Sequence, residues 1–273
     1  KNMSSKPEKE LDSVISTANN ALSLYRDPIV GGNTSRSDFK ISDLMDADNP
    51  VSLYFIPDPD NLLRLKPLMR LLITRIIMGL TGKMEFDDGR SKTAHKHRLL
   101  LMLDEFPSLG KLDIFERALA FMAGYGIKAY IITQDMQQLY QEYTQYQSIT
   151  SNCHIRIAFA PTELKTAEML SKMTGVTTVI NEQISTSGKR FGVVAGNFSS
   201  SFHSSHRALM TPDEIQGLDL TIKDDDGNLV PGKMLVFVAG SSVILARQTP
   251  YFLDPTFDER SRIEPPKTSD VLR

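Results

Sequence analysis

The sequence has almost no cysteine: its 273 residues include one, Cys153. A single cysteine excludes an internal disulfide framework and a thiolate zinc cluster, and it is typical of proteins from a reducing compartment. Long apolar runs are also lacking. The longest candidate, LMRLLITRIIMGL, contains Arg70 and Arg75 and is shorter than the ~18–20 residues of a membrane span. We find no signal peptide.

An excess of charge of either sign is lacking too, since the formal net charge is −2. This balance disfavours a histone-like basic binder, so any contact with nucleic acid has to be local. Hydrophobic residues make up 41% of the chain, which is enough for a real core and excludes wholesale disorder. At ~150 residues per domain, the length predicts one large domain, or one domain and part of another.

Helix and strand patterns alternate along the chain. Strands are predicted at VSLYFIP (51–57, a buried strand), 99–103, 127–133 and 153–160. Helices are predicted at 8–24, 60–78, 111–124, 135–143 and 162–175, the last two capped by Asp135 and Thr162. The stretch DPIVGGNTSRSD has no hydrophobic periodicity and indicates a boundary between two domains. These repeated units predict an α/β fold with a parallel sheet, which KMLVFVAG and SVILARQ extend in antiparallel fashion.

The run Leu99–Leu103 ends in Asp104 and Glu105, which is the Walker B pattern of P-loop NTPases. Ligand chemistry lies beyond the carboxyl end of a buried parallel strand, so Asp104 would hold Mg²⁺ and Glu105 would act as general base on the attacking water. Taken alone, the pattern also fits a strand that ends in a solvated acidic turn.

The next predicted strand ends in Gln134, whose amide can donate and accept a hydrogen bond at once. In ATPases with an Asp-Glu pair, a polar residue at this point reads the γ-phosphate or positions water. Two polar strand ends in succession favour this role over an incidental position in a capping loop.

A Walker A loop is missing from the sequence. The nearest match, GNLVPGKM at 227–234, lacks the Mg²⁺-binding hydroxyl, follows the acidic run 224–226, and leads into a predicted strand instead of a helix. Pro231 also removes an N–H donor. We therefore interpret this segment as a hairpin turn, and we expect residues 1–273 alone to be inactive as an ATPase.

The block LLLMLDEFPSLGKLDIFERALAFMAGYGIKAYIITQ closely resembles the conjugative coupling proteins of type IV secretion systems, the TraG/TraD family. The similarity extends to ELDSVISTANNALSLYRDPIV and NPVSLYFIPDPDNLLRLKPLMRLL before it, and to RALMTPDEIQGL and KMLVFVAGSSVILARQTPYFLDPTF after it. Together these segments cover most of residues 8–260.

The resemblance implies the C-terminal part of a RecA-like P-loop NTPase core, mainly a parallel sheet with an antiparallel extension. The implied domains are residues 1–35, the end of an all-helical insert and a connector; 36–260, the nucleotide-binding part; and 261–273, a tail. Walker A and N-terminal transmembrane helices are implied upstream, so the missing membrane span would record where the sequence was cut.

The family resemblance also implies function and partners. It implies a homo-hexameric ATPase at the cytoplasmic face of the bacterial inner membrane, which hands relaxase-bound single-stranded DNA, or protein, to the secretion channel. Asp104, Glu105 and Gln134 match the family's functional positions, with ATP and Mg²⁺ as cofactors. A trans-acting arginine is expected in such rings. Arg117 and Arg156 are candidates for it, although either is equally explained as a surface ion-pairing side chain.

Two weaker patterns remain. Lys189, Arg190 and Arg207 lie in a stretch without acids that also contains phenylalanines, which suits single-stranded DNA as well as it suits a Ser-rich hairpin packed on the sheet. His95 and His97 have a metal-like spacing, but a solvated loop without nearby acids is the expectation.

Two alternative functions stay open. One is another RecA-like DNA translocase of the FtsK type, and the other is a substrate-recruitment module without activity of its own.

Overall fold

The computed structural model describes residues 7–82, 84–87, 90–187, 197–268 and 271–272. The chain forms two compact units, Lys1–Thr133 with Pro266–Arg273, and Gln134–Pro265. In the part of the chain so described, no helix is both long enough and apolar enough to cross a membrane.

The first unit begins with helices. They are α1 (Glu8–Ala21), α2 (Pro28–Thr34), α3 (Asp43–Asp46) and α4 (Leu62–Leu80). Helix α4 buries one face through Ile73, Ile76, Ile77 and Leu80, at the three- and four-residue spacing of an amphipathic helix. Helix α2 lies where we predicted an aperiodic boundary. It forms because the side chain of Asp27 accepts hydrogen bonds from the first amides of the helix, and Pro28 occupies the first helical position.

The described residues of the first unit continue with the strands β1 (Met84–Asp87), β2 (Arg90–Thr93), β3 (Leu99–Leu103) and β4 (Ile127–Ile131). Strands β1 and β2 pair antiparallel, whereas β3 and β4 pair parallel. Helix α5 (Asp113–Ala118) connects β3 to β4 along the chain. The β3–β4 pair confirms the predicted parallel unit. It is covered on one face only, because Leu100 and Met102 are more than half exposed while Leu103 and Ile127 are buried.

The prediction of a buried strand at VSLYFIP is wrong. Residues 51–57 form no strand, and Tyr54 and Ile56 are 77% and 85% exposed. A β-strand needs a neighbour for its backbone hydrogen bonds, and the β3–β4 sheet has only two strands within the described residues. Residues 51–57 pair with neither β3 nor β4, so they lack the ladder hydrogen bonds that define a strand.

The second unit combines helices with antiparallel strands. Its helices are α6 (Met136–Tyr143), α7 (Ile149–Asn152), α8 (Leu164–Thr174), α9 (Pro212–Gln216) and α10 (Pro255–Ser261). Its strands are β5 (Ile155–Ala158), β6 (Val176–Ser187), β7 (Asn197–Ala208), β8 (Ile222–Lys223), β9 (Leu229–Val230), β10 (Lys233–Val238) and β11 (Ile244–Arg247). Helix α8 is capped by the side chain of Glu163, not by Thr162 as we predicted.

The sheet order in this unit is β11-β10-β5, with both pairs antiparallel. The predicted antiparallel pairing of KMLVFVAG with SVILARQ is thus confirmed, but their sheet, as far as the described residues show, contains β5 and not the parallel pair β3–β4 that they were predicted to extend. Buried side chains of helix α8, of helix α9 and the residues just after it, and of strand β10 form a hydrophobic cluster on this sheet: Leu170, Ile215, Leu218, Leu235 and Phe237. Strands β6 and β7 form a separate two-stranded ribbon with twelve residue pairs.

Candidate functional site

The acid pair lies where strand β3 ends. Asp104 is exposed and Glu105 is half-buried. Backbone pairing with the β4 side continues around them: the Ile132 amide donates to the Leu103 carbonyl at 3.0 Å, and the Phe106 amide donates to the Ile132 carbonyl at 3.0 Å. Asp104 and Glu105 are therefore the two residues that bulge out of this backbone pairing at the carboxyl edge of a parallel pair. This is the edge at which α/β proteins bind ligands.

Glu105 adopts a left-handed backbone conformation, with φ 47° and ψ 49°. Such a conformation costs a non-glycine residue roughly 1–2 kcal/mol. The packing around it holds it in place, because Phe106 is fully buried against Phe115 with ring centroids 4.9 Å apart. The Glu105 amide also donates to Asp104 Oδ1 at 3.1 Å. Backbone strain concentrates at functional sites, so this outlier supports the predicted role of the acid pair.

The turn that follows the acid pair rests on two cations of helix α4. Arg70 Nη1 donates to the Leu109 carbonyl at 3.0 Å. Gly110 has φ 69°, and a Cβ there would lie 2.7 Å from Lys66 Nζ. Sequence reasoning missed Lys66 and Arg70, because nothing in the sequence relates a helix to a turn some forty residues later. The sequence signal that was available is Gly110 at the end of DEFPSLG, since a glycine at a turn indicates a close approach by other residues.

Gln134 is exposed and follows β4 by three residues. Gln138 Nε2 donates to Gln134 Oε1 at 3.5 Å, and the predicted cap Asp135 accepts from the Gln138 amide at 2.8 Å. Asp104 and Glu105 are neighbours in the first unit, whereas Gln134 belongs to the second.

The two arginines predicted for a trans role differ in their surroundings. Arg117 is exposed on α5. Arg156, on β5, is half-buried: its Nε donates to the Cys153 carbonyl at 3.1 Å, and its Nη1 lies 3.7 Å from Met173 Sδ. Burial raises the pKa of the Cys153 thiol, and the nearby charge of Arg156 opposes this only in part. The thiol is therefore neutral at physiological pH and unsuited to nucleophilic chemistry.

Of the residues predicted to contact DNA, Arg207 lies on strand β7. Arg207 is bound to Glu214, with Nη2 at 2.9 Å from Oε1. The Thr211 amide and the Arg207 guanidinium hold the pKa of Glu214 below its usual range, so this pair is charged at neutral pH. Lys189 and Arg190 lie outside the described residues. Phe202, on β7, is 68% exposed.

The expectation of a solvated loop at the histidines is wrong. His95 Nδ1 lies 2.9 Å from Asp46 Oδ2, and His97 Nε2 lies 3.0 Å from the Ala47 carbonyl. These contacts attach the segment before β3 to the end of α3. Burial raises the pKa of Asp46, but hydrogen bonds from His95 and the Lys96 amide outweigh it and leave that pKa lowered.

The rejected Walker A match begins in the hairpin turn between β8 and β9, as we predicted for it, but it continues through β9 to the start of β10. Gly227 has φ 83° in the turn between β8 and β9, and Lys233 begins β10 with its ammonium 2.6 Å from Asp219. A lysine engaged in this way at the start of a strand is not part of a phosphate-binding loop.

The described residues contain no group of three or more His, Cys, Asp or Glu side chains that would hold a metal by itself. Mg²⁺ in nucleotide sites is bound through one or two carboxylates, water and the phosphates of the substrate. An exposed Asp104 beside Glu105 fits that donor set.

Comparison with known proteins places this geometry in a family. A sequence profile described as "Type IV secretory system Conjugative DNA transfer" matches residues 1–271. The chain belongs to this family. It is 49% identical over 276 residues to an Escherichia coli conjugal transfer protein TraG, covering 100% of this chain and 44% of that relative. It is 29% identical over 258 residues to a Rhizobium radiobacter protein VirD4, covering 93% of this chain and 34% of that relative. The predicted coupling-protein family is confirmed.

Solved structures confirm the fold class. The bacterial conjugative coupling protein TrwB, unbound, matches with a TM-score of 0.64 at 19% identity, over 89% of this chain and 51% of TrwB. TrwB in complex with ADP and Mg²⁺ matches with a TM-score of 0.62 at 18% identity, over 89% and 50%. The chain therefore shares the α/β fold of TrwB over the part that the two have in common. It spans less than half the length of the curated relatives that it matches.

Proposed function

We propose that this chain supplies the Walker B half of an ATP-driven coupling protein for type IV secretion. The intact protein would recruit relaxase-bound single-stranded DNA, or protein substrates, and power their transfer into the secretion channel during conjugation. The observation that carries the proposal is the acid pair at the end of β3, with Glu105 held in a strained conformation inside a chain of the coupling-protein family.

Each residue of the pair has a distinct role in this proposal. The exposed carboxylate of Asp104 holds Mg²⁺ through water, and Glu105 accepts a proton from the water that attacks the terminal phosphate. Gln134 donates its amide to that phosphate or orients the same water. ATP and Mg²⁺ supply the phosphoanhydride bond and the neutralising charge. The ADP and Mg²⁺ bound in TrwB support this choice of ligands.

The proposed active form is a homo-hexamer in which a neighbour's arginine stabilises transition-state charge. Arg117 is the better candidate, because its side chain is exposed on α5. Arg156 is half-buried against Cys153 and Met173, which supports a structural role for it.

We also propose that single-stranded DNA contacts Lys189 and Arg190, between β6 and β7, through its phosphates. The ion pair of Arg207 with Glu214 supports a structural role for that third residue, since its charge is already balanced. The proposed location of the complex is the cytoplasmic face of the inner membrane, with membrane attachment through helices outside this sequence.

Two variants test the roles in a longer protein that contains this chain and a Walker A loop. Glu105→Gln should keep Mg²⁺–ATP binding and lose turnover by at least ~100-fold, since general-base catalysis contributes about 10²–10⁴-fold. Asp104→Asn should instead weaken the Mg²⁺ dependence of nucleotide binding. Asp113→Asn, at an exposed acid of the following helix, is the matched control and should leave both properties unchanged. Normal turnover of Glu105→Gln would refute the proposal.

A further inference from the structure

The start of helix α6 is attached to helix α8 by a buried hydroxyl group. The Met136 amide donates to Thr166 Oγ1 at 3.3 Å, and Thr166 is only 8% exposed. Met136 is the first residue of α6, so its amide has no acceptor within its own helix. Thr166 therefore satisfies a donor that would otherwise be buried and unpaired.

Thr166 is itself fixed by Glu163, the capping residue of α8. Thr166 Oγ1 donates to Glu163 Oε2 at 2.9 Å, and the Thr166 amide donates to the same oxygen at 2.6 Å. Because the hydroxyl has one proton and gives it to Glu163, its lone pairs are left for the Met136 amide. The direction of both hydrogen bonds is thus determined, and the side chain has one orientation.

This hydroxyl acts on the backbone beside Gln134. Met136 follows Gln134 by two residues, and Asp135 between them accepts from the Gln138 amide at 2.8 Å. The direct side-chain contact, from Gln138 Nε2 to Gln134 Oε1, is 3.5 Å long and hence a weak restraint. The Asp135 cap is local to α6, whereas the Thr166 hydroxyl restrains this segment from another helix.

We propose that Thr166 is a positioning residue for Gln134. Its hydroxyl sets the path of the backbone between Gln134 and Met136, and thereby holds the Gln134 side chain in the orientation that its proposed role requires. The inference rests on the role given to Gln134 under the proposed function, and it extends the catalytic machinery to helix α8. Loss of the hydroxyl would leave the fold intact, but the side-chain amide of Gln134 would no longer be held in one position.

Helix α8 offers a matched control at its other end. Thr174 is 9% exposed, its hydroxyl donates to the Ser171 carbonyl at 2.7 Å, and it accepts from the Met210 amide at 3.3 Å. Thr166→Val and Thr174→Val therefore remove equivalent buried hydroxyls. Only the first hydroxyl touches the segment that carries Gln134.

The kinetic test uses a longer protein that contains this chain and a Walker A loop. Thr166→Val should lower kcat for ATP at least ~10-fold with KM within about twofold, since small misplacements of catalytic groups cost up to about 10²-fold. Thr166→Ser should restore kcat, and Thr174→Val should leave it unchanged. A normal kcat in Thr166→Val, or an equal loss in Thr174→Val, would overturn the inference.

A second measurement on residues 1–273 does not depend on ATPase activity. Amide hydrogen exchange at Met136–Gln138 should become about 10-fold faster in Thr166→Val, and it should stay at the wild-type rate in Thr166→Ser and Thr174→Val. Unchanged exchange at Met136 in Thr166→Val would overturn the positioning role even if the wild-type protein proved to hydrolyse no ATP. That latter result would count against the proposed function alone.

Discussion

Replacing Gly110 with alanine should destabilise the first unit by about 2 kcal/mol, because that backbone conformation is reserved for glycine. Gly110 has φ 69° and ψ −174°, a region that costs other residues about 1–3 kcal/mol. The new Cβ would also lie 2.7 Å from Lys66 Nζ and 3.2 Å from Arg70 Nη1. The end of Lys66 is flexible and can move aside, so most of the cost is backbone strain.

Urea unfolding followed by far-UV circular dichroism measures this cost. Gly82→Ala is the control, since a Cβ there meets nothing within 4 Å and its φ is not in the left-handed region. Adding Lys66→Ala to Gly110→Ala should recover less than about 1 kcal/mol, because it relieves the contact and not the strain. A Gly110→Ala variant that unfolds at the wild-type urea concentration would show that alanine adopts this backbone conformation without a measurable cost.

Two further predictions concern local contacts. Asp46→Asn should cost about 1 kcal/mol at pH 7, because it removes the charge that His95 and its neighbours stabilise. Since the folded pKa of Asp46 is lowered, its contribution is present above the ordinary value of 3.8 and is lost as the pH falls through the folded pKa. Urea midpoints of the two proteins should therefore converge below pH 3.8, and a constant difference would contradict this. Thr211→Ala should cost about 1 kcal/mol by removing the capping box of α9, whereas Thr162→Ala, at a residue that caps no helix, should stay within about 0.5 kcal/mol. Equal midpoints for these two variants would show that the cap contributes nothing.

The sequence predicted the local patterns well and the pairing of strands less well. An apolar run followed by Asp104 and Glu105 is a local signal, and β3 forms over the predicted residues. VSLYFIP carries an equally strong local signal, yet it forms no strand, because a strand depends on partners distant in the sequence. The same limit explains why the 153–160 strand was assigned to the parallel sheet, although β5 pairs with β10.

The candidate site shows the same division. The residues expected to do chemistry were recognisable from their type and spacing, as with Glu105 and Gln134. The residues that hold them could not be recognised, because Arg70 and Thr166 act across 39 and 30 positions of chain through hydrogen bonds to backbone groups. A backbone acceptor or donor leaves no trace in the residue types, so such support is visible only in the fold.

The frequency of conjugative transfer measures directly whether Glu105 is needed for the function proposed for the intact protein. A donor strain that lacks its own coupling protein is supplied with the longer protein containing this chain, either wild-type or Glu105→Gln, at equal protein levels. We expect the wild-type protein to restore plasmid transfer and Glu105→Gln to lower the transfer frequency at least ~100-fold, following the loss of general-base catalysis. Transfer at the wild-type frequency with Glu105→Gln would show that Glu105 is not the general base.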